Sequence, residues 1–343
     1  MAMTTFNGAR YLRETIDSVL AQSFEDFEFV IIDDASTDAT VSIIQSYQDA
    51  RIRFEPNTNN IGISRSRNRA IALAHGEYIA TTDQDDVSEK DRLRHQVAYL
   101  DAHPDTILVS SAVRLWEYGK ERKDRMRVFD MSAPLHFALF FGRHNVTYSS
   151  LCARVDVLRG HHLTFRPEFH YAEDYELYHR IARVGEMATL SAPLVTYRIH
   201  GENNSIKRYE AMSGNGRRFL QQAYSELVQR DFGAEEIERV WRIFVEQKPV
   251  SDQEELGIVG DLLMEALAGF ERCYGARYDA RDSVRELAAE IWWSVLVKSS
   301  EPLGLSALQA FSHYPDLRPW QPSFAERARV ALSTLARRIN LTR

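Results

Sequence analysis

Only two cysteines occur in 343 residues, Cys152 and Cys273. They are far apart and neither stands in metal-ligand spacing, so no disulfide framework is expected and a reducing cytoplasm is the expected compartment. Basic charge is in deficit: 42 Lys and Arg against 49 Asp and Glu give a net charge of −7, which argues against broad nucleic-acid binding. The N-terminus lacks a basic segment followed by an apolar run, so no signal peptide is expected. No apolar run reaches bilayer length. No Gly-x-Gly-x-x-Gly follows the first strand and no Walker A sequence occurs, which sets dinucleotide and P-loop chemistry aside. The first strand is itself nearly absent, since only Met1-Ala2-Met3 precede the turn Thr4-Thr5-Phe6-Asn7-Gly8.

What remains is an alternation of strands and helices. Leu12, Ile16, Val19 and Leu20 share one face of a helix. Phe27 to Ile32 reads as a buried strand, Ile52-Arg53-Phe54 as a short one, and Ser64 to Ala74 as a helix ended by Gly76. Glu77-Tyr78-Ile79-Ala80 is the next strand, followed by a helix from Glu89 to Ala102 and an extended run from Ile107 through Trp116. Leu135 to Phe141 reads as helical, and Leu194 to Ile199 as extended. This order predicts an α/β domain with a mostly parallel sheet flanked by helices. In such sheets ligands bind beyond the carboxyl ends of the strands.

Two strand ends are acidic: Asp33-Asp34 and Asp83-Gln84-Asp85-Asp86. Crowded carboxylates repel one another and are costly to desolvate. A divalent cation, sharing phosphate oxygens as further ligands, would offset that cost. The other reading is helix capping, with Ser88 and Asp91 at capping-box spacing. Glu173 and Asp174 open a helix that carries Leu177, Ile181 and Val184. They serve either the helix dipole or, as a carboxylate aimed into a cleft, as a general base.

Several segments in order then carry a resemblance. They are Thr4 to Gly8, Val30 to Asp38, Asn60-Ile61-Gly62 through Arg67-Asn68, Gly76 to Ile79, Asp83 to Asp86, Glu173-Asp174, and Tyr197-Arg198-Ile199-His200-Gly201. Over residues 1–206 the chain resembles the family-2 glycosyltransferases of the GT-A fold. The resemblance implies transfer of a sugar from a nucleotide diphosphate donor, UDP-linked, to a hydroxyl of a saccharide or lipid-linked acceptor in cell-surface polysaccharide synthesis. By position it implies that Thr4 and Phe6 border the base, Asp34 accepts a hydrogen bond from it, and Arg67 lies near the nucleotide. It places Asp83 at the ribose and metal, Asp85 as main metal ligand, and His200 at the metal or diphosphate. Asp174 becomes the catalytic base with Glu173 beside it. One base with direct displacement implies inversion at the anomeric carbon. The cofactor is Mn²⁺ or Mg²⁺, and a histidine ligand favours Mn²⁺. Thr4 and Phe6 stand where Pro and Tyr are frequent in the family. Set against this reading are a sugar-phosphate nucleotidyltransferase and a non-catalytic nucleotide-binding relative, the latter motivated by the short first strand.

Residues 207–343 lack these motifs and read as a helical C-terminal region, with Trp241, Trp292 and Trp293 as core. The last helix combines Arg327, Arg329, Arg337, Arg338 and Arg343 with Val330, Leu332, Leu335 and Ile339. It is read either as a peripheral contact with the inner face of the membrane or as a helix docked on the body.

Overall fold

The computed structural model describes residues 1–122 and 127–341. Its sheet opens with four parallel strands, β1 (Ala2–Thr5), β2 (Phe29–Asp33), β3 (Ile52–Pro56) and β4 (Tyr78–Thr82), in the spatial order β3-β2-β1-β4. The short β1 is therefore interior, hydrogen-bonded to β2 on one side and β4 on the other. Beyond β4 the sheet is mixed. It is extended by β5 (Val87–Ser88), β6 (Thr106–Glu117), β7 (Lys120–Arg122), β8 (Cys152–Arg154) and β9 (Glu186–Ile199). The order continues β4-β8-β6-β9-β5, with β7 on β6. β8 is antiparallel to both neighbours, whereas β6 and β9 run parallel along most of their length.

Helices α1 (Ala9–Leu20), α2 (Thr40–Gln45), α3 (Ile63–Leu73) and α4 (Arg92–Ala102) follow successive strands. The N-cap residue of α1 is Gly8, which has no side chain, and Asp38 Oδ2 accepts from Ala9 N at 3.1 Å. The helix is anchored by Leu12, Ile16 and Val19, which join Met3, Phe29 and Ile31 in one buried cluster. Each such side chain contributes about 1.5–3 kcal/mol on burial, more than a cap would.

The start of α4 corrects the sequence reading. Val87 and Ser88 pair with Thr196 and Val195 of β9, so the helix begins at Arg92 and not at Glu89. Ser88 therefore caps nothing. Asp91 at the N-cap makes no side-chain cap bond; its Oδ1 accepts from Ser23 Oγ at 2.6 Å. Tyr148 to Ser150 form a 3-10 turn just before β8.

Later helices are α5 (Ser132–Leu139), α6 (Val155–Gly160), α7 (Glu173–Val184), α8 (Asn204–Lys207), α9 (Tyr209–Val228), α10 (Ala234–Val240), α11 (Gln253–Tyr274), α12 (Arg281–Leu303), α13 (Ser306–Gln309) and α14 (Phe324–Leu341). The chain divides into two compact units, 1–132 with 144–216 and 133–143 with 217–343. The first holds the whole sheet. The second is helical, and the segment 133–143 contributes to its aromatic core, where Phe137 meets Phe270 and Tyr224 donates to Phe140 O. Trp292 and Trp241 are buried there; Trp293 is half-buried. α14 touches α12 through Ser300 Oγ and Thr334 Oγ1, 2.9 Å apart. Arg343 lies outside the described residues, as do the side chains of Leu335, Arg337, Arg338 and Ile339. No described helix is long and apolar enough to cross a membrane.

Candidate functional site

β4 ends at Thr82, and the chain turns so that Asp83, Asp85 and Asp86 are delivered to one place. Asp86 is buried; its Oδ1 accepts from Arg198 N at 2.9 Å. Its Oδ2 is buried with no hydrogen-bond partner among the described residues. Asp85 Oδ2 lies 3.0 Å from His200 Nε2. Glu202 N donates to His200 Nδ1 at 3.2 Å, leaving Nε2 as the ring nitrogen that faces Asp85. The ring rests on Tyr11, centroids 4.8 Å apart.

Arg67, on α3, joins this acidic turn to α7. Its Nη2 donates to Asp83 Oδ1 at 3.3 Å and its Nη1 to Glu173 Oε1 at 3.1 Å. The guanidinium lies 3.4 Å from the centroid of the Tyr148 ring. Burial opposes its charge, but Tyr148, Asp83, Glu173 and Asp174 together raise its pKa above the ordinary value. Asp83 is pushed up to about 6 by burial, with Asp85 and Asp174 adding and Arg67 opposing. Burial also raises Asp85, and raises Asp86 strongly, with Asp85 and Asp83 adding to the latter. Glu173 is raised by burial first and Asp174 after it, against Arg67; its Oε2 is buried with no partner among the described residues. Asp174 is half-buried. Its Oδ1 accepts from Tyr175 N at 2.7 Å, and no described donor reaches its Oδ2. Asp83 thus feels both Asp85 and Asp174, and carboxylates from two distant segments gather around Arg67.

At the other end stand the residues expected at the nucleoside. Thr4 is half-buried in β1, and Phe6 is 46% exposed, with a ring face open to stacking. Gln84 clamps the Phe6 backbone: Phe6 N donates to Gln84 Oε1 at 2.9 Å and Gln84 Nε2 donates to Phe6 O at 3.3 Å. Gly8 permits this, because a Cβ there would stand 2.3 Å from Gln84 Oε1. Asp34 is buried and already engaged. Its Oδ1 accepts from Asn57 Nδ2 at 2.8 Å and Ile61 N at 2.9 Å, and its Oδ2 from Gly62 N at 2.9 Å. A carboxylate offers about four acceptor positions, so one remains on Oδ2. The first duty of Asp34 is to pin the loop that leads into α3.

Some residues that shape the site were given no role by the sequence. Arg92 is fully buried without a carboxylate partner and donates to Thr81 O at 2.6 Å, Leu151 O at 3.0 Å, Ser88 Oγ at 3.1 Å and Gln96 Oε1 at 3.1 Å. It ties the end of β4 to the turn before β8. Arg198 Nη1 donates to Asp85 O at 3.1 Å and pairs with Glu14 at 2.5 Å. Tyr148 supports Arg67 from a segment to which the sequence assigned nothing. Asp86 was visible as the third acid, but nothing local marks it as the most buried of the three.

Three crowded carboxylates with raised pKa values, one of them with an unpartnered buried oxygen, form a set that a hard divalent cation would stabilise. Among the described residues no group of three or more His, Cys, Asp or Glu is disposed to hold an ion by itself. The protein donors that fit are Asp85 and His200, with Asp83 adjacent, so further oxygens would have to come from a ligand.

Residues 1–158 match the family described as Glycosyl transferase family 2. An uncharacterized glycosyltransferase of Methanocaldococcus jannaschii is 30% identical over 217 residues, covering 61% of this chain and 73% of that protein. The chain belongs to glycosyl transferase family 2. It is also 24% identical over 277 residues to a chondroitin synthase of Pasteurella multocida, covering 75% of this chain but only 26% of that longer protein. Among solved structures, S. aureus TarS 1–349 in complex with UDP-GlcNAc aligns with a TM-score of 0.57 at 17% identity, covering 91% of this chain and 90% of that one. That likeness is one of fold, of the GT-A type.

Proposed function

We propose that this family member is an inverting, metal-dependent glycosyltransferase. It moves a sugar from a UDP-linked donor to a hydroxyl of a saccharide or lipid-linked acceptor, in the synthesis of a cell-surface polysaccharide. The observation that carries this reading is the bridge made by Arg67 between Asp83 and Glu173. It brings the acidic strand end and the start of α7 to one cleft, with Asp85 and His200 beside it. The relative named as a chondroitin synthase and the neighbour solved with UDP-GlcNAc favour a UDP-sugar and a polymeric product.

In this reading Thr4 and Phe6 border the base, and the last acceptor position on Asp34 Oδ2 takes an N–H of the ring. Asp85 and His200 hold Mn²⁺ or Mg²⁺, with Asp83 adjacent. The bound cation supplies positive charge to the leaving diphosphate. Asp174, half-open with a free Oδ2, takes the proton of the attacking hydroxyl. Glu173 stays buried against Arg67 and keeps that side of the cleft charged but paired. A single base opposite the leaving group implies inversion.

A thermal-shift screen of nucleoside diphosphates and nucleotide sugars tests this directly, because a ligand of the native state raises the melting temperature with its concentration over Kd. UDP and at least one UDP-sugar are expected to stabilise the chain, more with Mn²⁺ than without. No shift with any nucleotide would overturn the proposal.

A further inference from the structure

The end of β6 carries two aromatic side chains that the fold does not use. Trp116 is 41% exposed and Tyr118 is 90% exposed. Neither makes a side-chain hydrogen bond or ring contact with another described residue. Tyr118 and Gly119 form the two-residue turn between β6 and β7, closed by the pair Glu117 and Lys120. Their φ angles are 48° and 77°, the left-handed values of a type I′ turn. Asn-Gly is the favoured pair there, and a side chain as large as Tyr is disfavoured at the first position. The chain therefore holds a large ring in water, on backbone that does not favour it. The hairpin requires those angles; what it does not require is a ring at the first of the two positions.

Their place in the sheet relates the two rings to the acidic site. Trp116 is the partner of Arg198 in the parallel β6–β9 ladder, so the two side chains leave the same face, about 5 Å apart along the sheet. Arg198 donates to Asp85 O, and His200, two residues on, meets Asp85 Oδ2. Tyr118, two residues on, stands at the first position of the turn that ends β6. In the strand order, the nucleoside end at β1 and β2 and the aromatic pair on β6 lie on opposite sides of β4, whose end carries the acids. A donor bound from β1 to the acids would present its sugar toward the aromatic side.

We propose that Trp116 and Tyr118 form a stacking platform for the acceptor saccharide. This rests on the glycosyltransferase reading above. The C–H face of a pyranose ring is apolar and meets the negative face of an aromatic ring favourably. Glu121, the cross-strand partner of Trp116 on the same face, offers a polar partner for its hydroxyls.

The test applies the full chain, with UDP and Mn²⁺, to an array of neutral, amino and uronate oligosaccharides. The wild type is expected to retain a defined set of them. Trp116→Ala and Tyr118→Asn should weaken that retention about tenfold, and Tyr118→Phe should preserve it. Tyr118→Asn is decisive, because Asn suits the left-handed turn and the variant should fold at least as stably as the wild type. UDP affinity, measured separately by calorimetry, should stay within about twofold in all three. Retention of no saccharide by a wild type that binds UDP would overturn the platform, and so would undiminished retention by Tyr118→Asn. A change of oligomeric state in Tyr118→Asn, with saccharide retention intact, would also overturn it and mark a contact between copies. A wild type that binds no UDP yet loses saccharide through Tyr118→Asn would uphold the platform and overturn the donor assignment instead.

Discussion

Arg67 Nη1 and Glu173 Oε1 meet at 3.1 Å across 106 positions of chain, and both side chains are buried. A pair of this kind is weak evidence for net stability, since both charges were taken out of water, but removing one partner strands the other. Arg67→Met is therefore expected to destabilise the chain by about 3–5 kcal/mol. Glu173→Gln, which keeps an acceptor for Arg67 and removes a charge that burial already disfavours, should cost clearly less. Urea denaturation of the two variants measures the difference. Equal midpoints for Arg67→Met and wild type would show that the bridge carries no structural weight.

Asp174 and Glu173 each keep one oxygen free of donors among the described residues, but only Asp174 is half-open. A general base contributes about 10²–10⁴-fold to rate. Asp174→Asn should lower turnover of a UDP-sugar by that factor and leave UDP affinity near the wild-type value. A variant that turns over like wild type would move the base elsewhere, and Glu173 Oε2 would be the next carboxylate to examine.

Arg92 touches no carboxylate, yet it supplies hydrogen bonds to Thr81 O and Leu151 O at the end of β4 and in the adjoining turn. Arg92→Met leaves those buried carbonyls without their side-chain donor, at about 1–3 kcal/mol for each group left unsatisfied. Lower stability in denaturant is expected, with a fall in turnover as Asp83, Asp85 and Asp86 lose their support. Full stability and full activity together would refute the bracing role.

Much of this architecture was legible in the chain. The strand–helix alternation located the parallel strands, and the acids at Asp33-Asp34 and Asp83 to Asp86 marked the carboxyl ends of β2 and β4. What was not legible depends on pairing between distant segments. Val87 and Ser88 look like a helix start because local capping rules see Ser88 and Asp91; their partners, Thr196 and Val195, lie more than 100 residues on. Arg92 on a helix reads as a solvent-facing residue, since burial of a guanidinium is decided by which carbonyls converge on it. Asp34 was expected to face a base, and nothing local shows that Asn57, Ile61 and Gly62 claim most of its acceptor capacity. The three residues before Thr4 looked too few for a strand, but an interior strand draws its hydrogen bonds from both neighbours, so four residues suffice.

The central claim is that Asp85 belongs to a cation-dependent nucleotide site. Calorimetric titration of UDP into the full chain, with and without Mn²⁺, tests it most directly. Mn²⁺ is expected to tighten UDP binding to the wild type by about tenfold or more, Asp85→Ala to abolish that dependence, and Asp174→Asn to keep it. Equal UDP affinity with and without Mn²⁺ in the wild type, or a metal effect that survives Asp85→Ala, would contradict it.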